Sequence, residues 1–218
     1  MDWNGWHARY DDPDSPFTAR LQTVQACIRA ALDEAPAGPL RAVSVCAGQG
    51  RDLIPVLAAH PRGRDVRARL VELDPAVADH ARALAARAGL SGVEVVTGDA
   101  ALTDHYLGLA PAHLVLLCGI FGNIVPTDID RTVRISAALC ARGGTVIWSR
   151  GRDTGDATLF ARIEQWFARE GFEESFATPE TVTLGVAAHR RVAEPGVLEP
   201  GQSMFEFIGY DVLYPRPA

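Results

Sequence analysis

Apolar residues recur along this chain in two alternating rhythms. From about residue 39 onward, short continuous apolar runs alternate with stretches in which apolar positions return every three to four residues. The short runs, at 40–46, 66–73, 93–96, 113–118 and 144–148, predict β-strands. The helically spaced stretches, at 52–60, 75–88, 128–140 and 158–170, predict α-helices, two of them stopped by Gly89 and Gly171. Strands separated by helices pair in parallel through right-handed crossovers. The rhythm therefore predicts a doubly wound α/β sheet.

Both ends break the rhythm. Residues 182–189 and 203–210 are two strand-like runs with no helical pattern between them. The link carries Pro195, Gly196, Pro200 and Gly201, so a hairpin-like pair of strands is expected after the last helix. At the start, Trp3, Trp6, Tyr10 and Phe17 sit among Asp and Pro, ahead of one amphipathic helix at about 17–32. The expected organisation is an N-terminal lid and helix (1–38) leading into one globular unit (39–218).

Composition narrows the function classes. At 218 residues and 48% hydrophobic, the chain can build one good core. All 21 cationic side chains are arginine and the net charge is −6, so a nucleic-acid partner is not expected. Arg62, Arg64, Arg67 and Arg69 flank Pro61 and Gly63 and read as a solvated loop before a strand. Cys27, Cys46, Cys118 and Cys140 are far apart, which predicts free thiols and no metal site. The Met-Asp-Trp-Asn-Gly-Trp start lacks a basic segment followed by an apolar run, so no signal peptide is expected. No apolar run approaches the roughly 18 residues of a membrane span. A cytoplasmic protein, monomer or homodimer, is expected.

Three strand ends carry candidate chemistry. In Ser44-Val45-Cys46-Ala47-Gly48-Gln49-Gly50-Arg51-Asp52-Leu53, a strand runs into a Gly-x-Gly turn and then a helix. Such a turn lets backbone approach a ligand, and the helix start offers unpaired N–H groups. The same tripeptide also serves as a plain tight turn. In Val71-Glu72-Leu73-Asp74-Pro75, an acid closes the second strand about 20 residues later, where nucleotide-binding units hold a ribose. Glu72 is the choice for that role, and Asp74 reads as the cap of the next helix, with Pro75 at its first position. In Val96-Thr97-Gly98-Asp99-Ala100, a third strand ends in an acid able to accept from an adenine amino group.

In this order, at successive strand ends, the three motifs resemble those of the class I S-adenosylmethionine-dependent methyltransferases, from about residue 40 to 210. Cys140-Ala141-Arg142-Gly143-Gly144-Thr145-Val146 resembles that family's Gly-Gly turn into its fifth strand. The resemblance implies a seven-stranded, mostly parallel sheet with one antiparallel strand near the C-terminus. It implies S-adenosyl-L-methionine as cofactor, methyl transfer as reaction and a small-molecule acceptor. Ala47, Gly48, Gln49 and Gly50 would pass the methionine part. Glu72 would hold the ribose and Leu73 would lie against the adenine, with Asp99 and Ala100 at the adenine edge. Cys118 would lie near the methionine amino group, and Tyr10 or Arg20 would meet its carboxylate.

Two positions depart from the family pattern. Ser44 stands where an acid is usual, and Cys46 where glycine is usual. Asp52, or a backbone carbonyl near Cys118, would stand in for the missing acid.

The acceptor would sit over Cys118-Gly119-Ile120-Phe121-Gly122-Asn123-Ile124, after the fourth strand. Phe121 would pack near the sulfonium or in the core, and Asn123 would orient the acceptor. His7 is the candidate general base, and Trp6, His105, Trp148 and Arg150 are candidate pocket residues. Trp148 reads equally as core. His60, His80, His113 and His189 read as structural or exposed. No Asn-Pro-Pro-Tyr or Pro-Cys motif points to amide, adenine or cytosine substrates. Two other readings compete. A nicotinamide-dependent oxidoreductase shares the glycine turn and Glu72, but Leu53 replaces its third small residue. A non-catalytic S-adenosylmethionine-binding domain is suggested by Ser44 and Cys46.

Overall fold

The computed structural model describes residues 12, 14–152, 156 and 158–214. Trp6, His7 and Tyr10 lie outside the described residues. Helix α1 (Pro16–Glu34) leads into β1 (Leu40–Val45), α2 (Ile54–Ala59), β2 (Val66–Glu72), α3 (Pro75–Arg87) and β3 (Val93–Thr97). There follow β4 (Ala112–Leu117), α4 (Pro126–Leu139), β5 (Cys140–Gly151), α5 (Leu159–Arg169), β6 (Phe172–Ala177), β7 (Leu184–Arg191) and a short α6 (Tyr210–Leu213). The seven strands form one sheet in the order β3-β2-β1-β4-β5-β7-β6. Neighbours pair in parallel from β3 to β5, and β7 runs antiparallel to both β5 and β6.

Alternation along the strands explains the two layers. Val43, Val115, Leu117, Val146 and Trp148 pack with Ile129 and Val133 of α4 and Phe160, Ile163 and Phe167 of α5. Their neighbours Ala42, Leu114, Leu116 and Ile147 pack on the other face with Val24, Ile28 and Leu32 of α1, Leu57 of α2 and Ala81 of α3. Because both faces are covered, the central strands read as continuous apolar runs, not as alternating ones. Start signals act as expected. The Asp74 carboxylate accepts from the N–H groups of Ala76 and Val77, with Pro75 at the first helical position.

The expected strand pair at the C-terminus is corrected. β7 matches the first run, but its partner is β6, not residues 203–210. β6, Phe-Glu-Glu-Ser-Phe-Ala, carries little apolar signal because it is an edge strand whose Glu173 and Glu174 face solvent. Phe172 alone is buried, edge-on to Phe167 at 5.4 Å. With β6 on that edge, residues 203–210 form an extended segment that buries Met204 and Phe205 in the core. Its backbone is tied to loops: Met204 donates to Ala101 O, and Ile208 and Gly209 donate to Asn123 O. The predicted helix at 52–60 begins only at Ile54.

The α5 face holds a buried histidine. The His189 ring stacks on Phe167 at 4.6 Å and Trp148 at 6.1 Å, and its Nε2 has no hydrogen-bond partner among the described residues. Burial depresses its pKa from 6.5 to about 4, so the fold holds imidazole neutral. A depressed basic group favours the fold above its unfolded pKa, and that contribution is lost as pH falls from about 6.5 towards 4. Chemical denaturation between pH 8 and pH 4.5 is expected to show His189→Phe losing about 2 kcal/mol less stability than the parent over this window. Equal losses would show that His189 does not carry this acid sensitivity.

Candidate functional site

The sheet reverses its winding between β1 and β4, the point at whose carboxyl end the loops of an open α/β sheet diverge into a crevice. Ligands of open α/β sheets bind at such a point. On one side, after β1, lies the glycine turn. Ala47 donates its N–H to Val71 O at 2.9 Å and Gly50 to Ala47 O at 3.0 Å, so the turn is stitched to the end of β2. Gly50 has φ +72, and a Cβ there would come 2.4 Å from the Ile54 side chain; only glycine fits.

Glu72 holds this turn. Its Oε2 accepts from the N–H of Gly48 at 2.8 Å, and its Oε1 from the N–H of Asp74 at 3.0 Å. Its own carbonyl accepts from Gly98, so the ends of β1, β2 and β3 are joined side by side. A carboxylate has about four lone-pair sites, so two remain for a ligand's hydroxyl pair. Leu73, next in sequence, leaves 69% of its surface exposed at this rim, an apolar platform with no layer over it among the described residues. At the end of β3, Asp99 is exposed and its Oδ1 accepts from Ala101 N at 2.9 Å. The Ala100 carbonyl is fixed by the buried hydroxyl of Tyr106 at 2.8 Å. Residue patterns gave no sign of Tyr106, since a buried tyrosine reads simply as core.

The opposite wall follows β4. Cys118 is buried, and Gly119 donates its N–H to Ser149 Oγ at 3.2 Å. Arg20, on α1, pairs with Asp52 across the glycine turn at 3.2 Å. Gln25, one turn further along α1, donates to Arg51 O at 2.9 Å. Both cysteines of the crevice are held as neutral thiols. Burial pushes Cys46 well above the usual thiol range, reinforced by the charges of Glu72 and Asp99. Cys118 is pushed up by burial first and by Asp52 second. Neither is a thiolate nucleophile near neutral pH.

Several expected pocket residues are placed elsewhere. Phe121 and Trp148 are fully buried and pack on each other at 5.6 Å, with Phe160 at 4.5 Å from Trp148. Both rings lie in the core, the second of the two places considered for each. The apolar ends of β4 and β5 face α5 here, so the largest rings fill that layer. Asn123 is engaged within the chain: its Nδ2 donates to Gly119 O at 2.7 Å and its Oδ1 accepts from Tyr210 N at 2.8 Å. It fastens the loop after β4 to the C-terminal segment. Arg150, 4% exposed, donates to Phe121 O and, at 2.8 Å, to Tyr214 Oη, and so anchors the same segment. His105 packs against Gly98, beside the adenine-edge turn, and its carbonyl accepts from Arg69 at 2.7 Å. Ala47, Gly48, Gln49, Gly50, Asp52, Glu72, Leu73, Asp99, Ala100 and Cys118 do gather at the strand ends.

Cys46 sits at φ +50, the left-handed region that favours glycine. The departure from the expected glycine therefore keeps the glycine-like backbone. Cys46→Gly is expected to stay within about 1 kcal/mol of the parent, because relief of strain offsets added chain entropy. Cys46→Val retains apolar volume but branches at Cβ, and is expected to cost about 2 kcal/mol or more. Urea melts of the two variants check this, and equal stability would contradict it.

No protein-family model matches the sequence, and a search of curated proteins finds no match. Solved structures do match. Magnesium protoporphyrin IX methyltransferase from Synechocystis PCC 6803, with bound S-adenosylmethionine, superposes with a TM-score of 0.67 at 16% identity, over 88% of this chain and 91% of that one. An O-methyltransferase family protein from Burkholderia thailandensis gives 0.63 at 16% identity, over 81% of this chain. A putative O-methyltransferase from Nostoc punctiforme gives 0.60 at 20%, over 78% of this chain. This chain spans 56% of the length of each of the latter two. A putative rRNA methylase from Clostridium thermocellum matches as well, at 0.62 and 14% identity over 80% of this chain and 96% of that one. The architecture agrees with these neighbours: the chain has the class I S-adenosylmethionine-dependent methyltransferase fold.

Proposed function

We propose that the protein binds S-adenosyl-L-methionine in this crevice and transfers its methyl group to a small-molecule oxygen or nitrogen. The observation that carries the reading is the joining of three strand ends at one residue, Glu72, through its carboxylate and its main-chain carbonyl. Glu72 clasps the glycine turn and retains lone pairs for a ribose, Leu73 offers an apolar platform for a purine, and Asp99 stands at its edge. The residues present thus fit the nucleoside part of the cofactor.

The bound cofactor supplies an already activated methyl group. The protein's task is then to orient and to exclude water, and in-line positioning supplies much of the rate. The loop after β4, held by Asn123 and Arg150 against the C-terminal segment, forms the rim on which the acceptor lies. Where the acceptor is a hydroxyl, His7 is assigned as the base that takes its proton. The acidic balance of the chain and the presence of O-methyltransferases and a porphyrin methyltransferase among its structural neighbours support a small molecule over a nucleic acid.

Isothermal titration with S-adenosylhomocysteine is the test. Binding at micromolar to sub-millimolar concentration is expected, and Asp99→Ala should weaken it about 10-fold. Stabilisation by NAD, with none by S-adenosylhomocysteine, would overturn the reading in favour of a nicotinamide enzyme.

A further inference from the structure

The arginine cluster at 62–69 is only in part a loop. Arg67 and Arg69 belong to β2, and Arg64 sits in a single 3₁₀ turn, Gly63–Asp65, just before it. In the parallel pairing of β1 with β2, Arg41 stands beside Arg67 and Val43 beside Arg69. In-register neighbours share a face, so Arg41, Arg67 and Arg69 lie on the side of the sheet to which Val43 and Val71 belong. Towards the carboxyl ends, Val43, Val45 and Val71 join a core with Ala100, Ala101, Tyr106 and Leu109. Towards the amino ends, the same side carries guanidinium groups instead.

These arginines are not equally engaged. Arg69 pairs with Glu94 at 2.9 Å and donates to His105 O at 2.7 Å. Arg62 gives its donors to Ala35 O, Gly38 O and Asp65. Arg41, Arg64 and Arg67 have no ion-pair partner among the described residues, and the Nε of Arg41 is buried with no hydrogen-bond acceptor there. Arg64 and Arg67 are exposed. Like charges side by side on neighbouring strands repel, and a buried N–H without an acceptor costs stability. The chain has 27 carboxylates against 21 guanidinium groups, yet it sets none of them against this pair. The positive field reaches His113, at the start of β4, whose Nδ1 accepts from the Arg41 N–H at 3.0 Å. Its pKa is lowered by burial first, then by the charges of Arg41 and Arg62.

We infer that Arg41 and Arg67, with Arg64 at the rim, form a binding site for a doubly charged tetrahedral oxyanion, a phosphate ester or free phosphate. Two guanidinium forks on strands about 4.8 Å apart share the oxygens of one phosphate, whereas a carboxylate satisfies a single fork. The six residues of β1, at about 3.3 Å each, separate this site from the crevice by roughly 20 Å. It therefore stands independently of the cofactor reading.

Isothermal titration with inorganic phosphate and with acetate, at one ionic strength, tests the site. One phosphate per chain is expected, bound at least about 10-fold more tightly than acetate. Arg41→Gln and Arg67→Gln should each weaken phosphate about 10-fold, and Arg67→Lys, which keeps the charge without the fork, should recover part of the loss. Arg142→Gln, which breaks an exposed pair with Glu194, should change nothing. Magnetic resonance of His113 gives a second readout. Phosphate should raise its pKa towards the ordinary value, and Arg41→Gln should raise it without phosphate and abolish the response.

Phosphate and acetate bound with equal affinity, or an unchanged phosphate affinity in Arg67→Gln, would overturn the site. Arg67 is exposed, so that variant decides even where Arg41→Gln fails to fold. Glycerol phosphate bound more tightly than inorganic phosphate supports the site with an ester as its source, and the reverse order supports it with the free ion. A single-stranded oligonucleotide bound about 100-fold more tightly than either, through the same arginines and with steep salt dependence, would overturn it in favour of a nucleic-acid surface.

Discussion

Glu72 joins what would otherwise be three separate strand ends, by its carboxylate toward the turn after β1 and by its main-chain carbonyl toward β3. A turn with two left-handed glycines and a left-handed cysteine has no reason to hold one shape by itself. Glu72 fixes it through the Gly48 N–H, fixes the start of the next connection through the Asp74 N–H, and through its own carbonyl holds Gly98. Charge-assisted hydrogen bonds of this kind are among the stronger ones available to a fold. With the main-chain bond to Gly98, they align the glycine turn, the apolar Leu73 and the acid Asp99 on one rim.

The sheet supplies the platform on which this rim is level. Strands covered on both faces must be apolar throughout, and that requirement made β1, β4 and the middle of β5 legible from residue type alone. The same logic hid β6. An edge strand keeps one side in water, so Glu173 and Glu174 cost it nothing and remove its apolar signature. The last segment misled in the opposite sense. Residues 203–210 are apolar enough to look like a strand, yet Met204 and Phe205 are buried by a backbone that pairs with loops.

The cofactor side of the crevice was more legible than the acceptor side. Turn glycines, strand-end acids and a helix cap are local devices, and their spacing can be read along the chain. Asn123, Arg150, Phe121 and Trp148 sit at the right place in sequence but are used within the chain. Whether a side chain at a strand end turns outward or is taken up by a neighbour depends on tertiary contacts, such as Asn123 to Tyr210 across 87 residues. The Arg20–Asp52 pair also joins distant positions, and spacing alone cannot show that α1 reaches the turn.

The account stands on where a nucleoside lies in the crevice. A crystal structure with S-adenosylhomocysteine shows this directly. The account predicts ribose hydroxyls on the Glu72 carboxylate, the purine over Leu73 with its amino group at Asp99, and the sulfur pointing toward the loop after β4. A nucleoside bound elsewhere, or a Glu72 carboxylate that keeps only its contacts to Gly48 and Asp74 with ligand present, would contradict it.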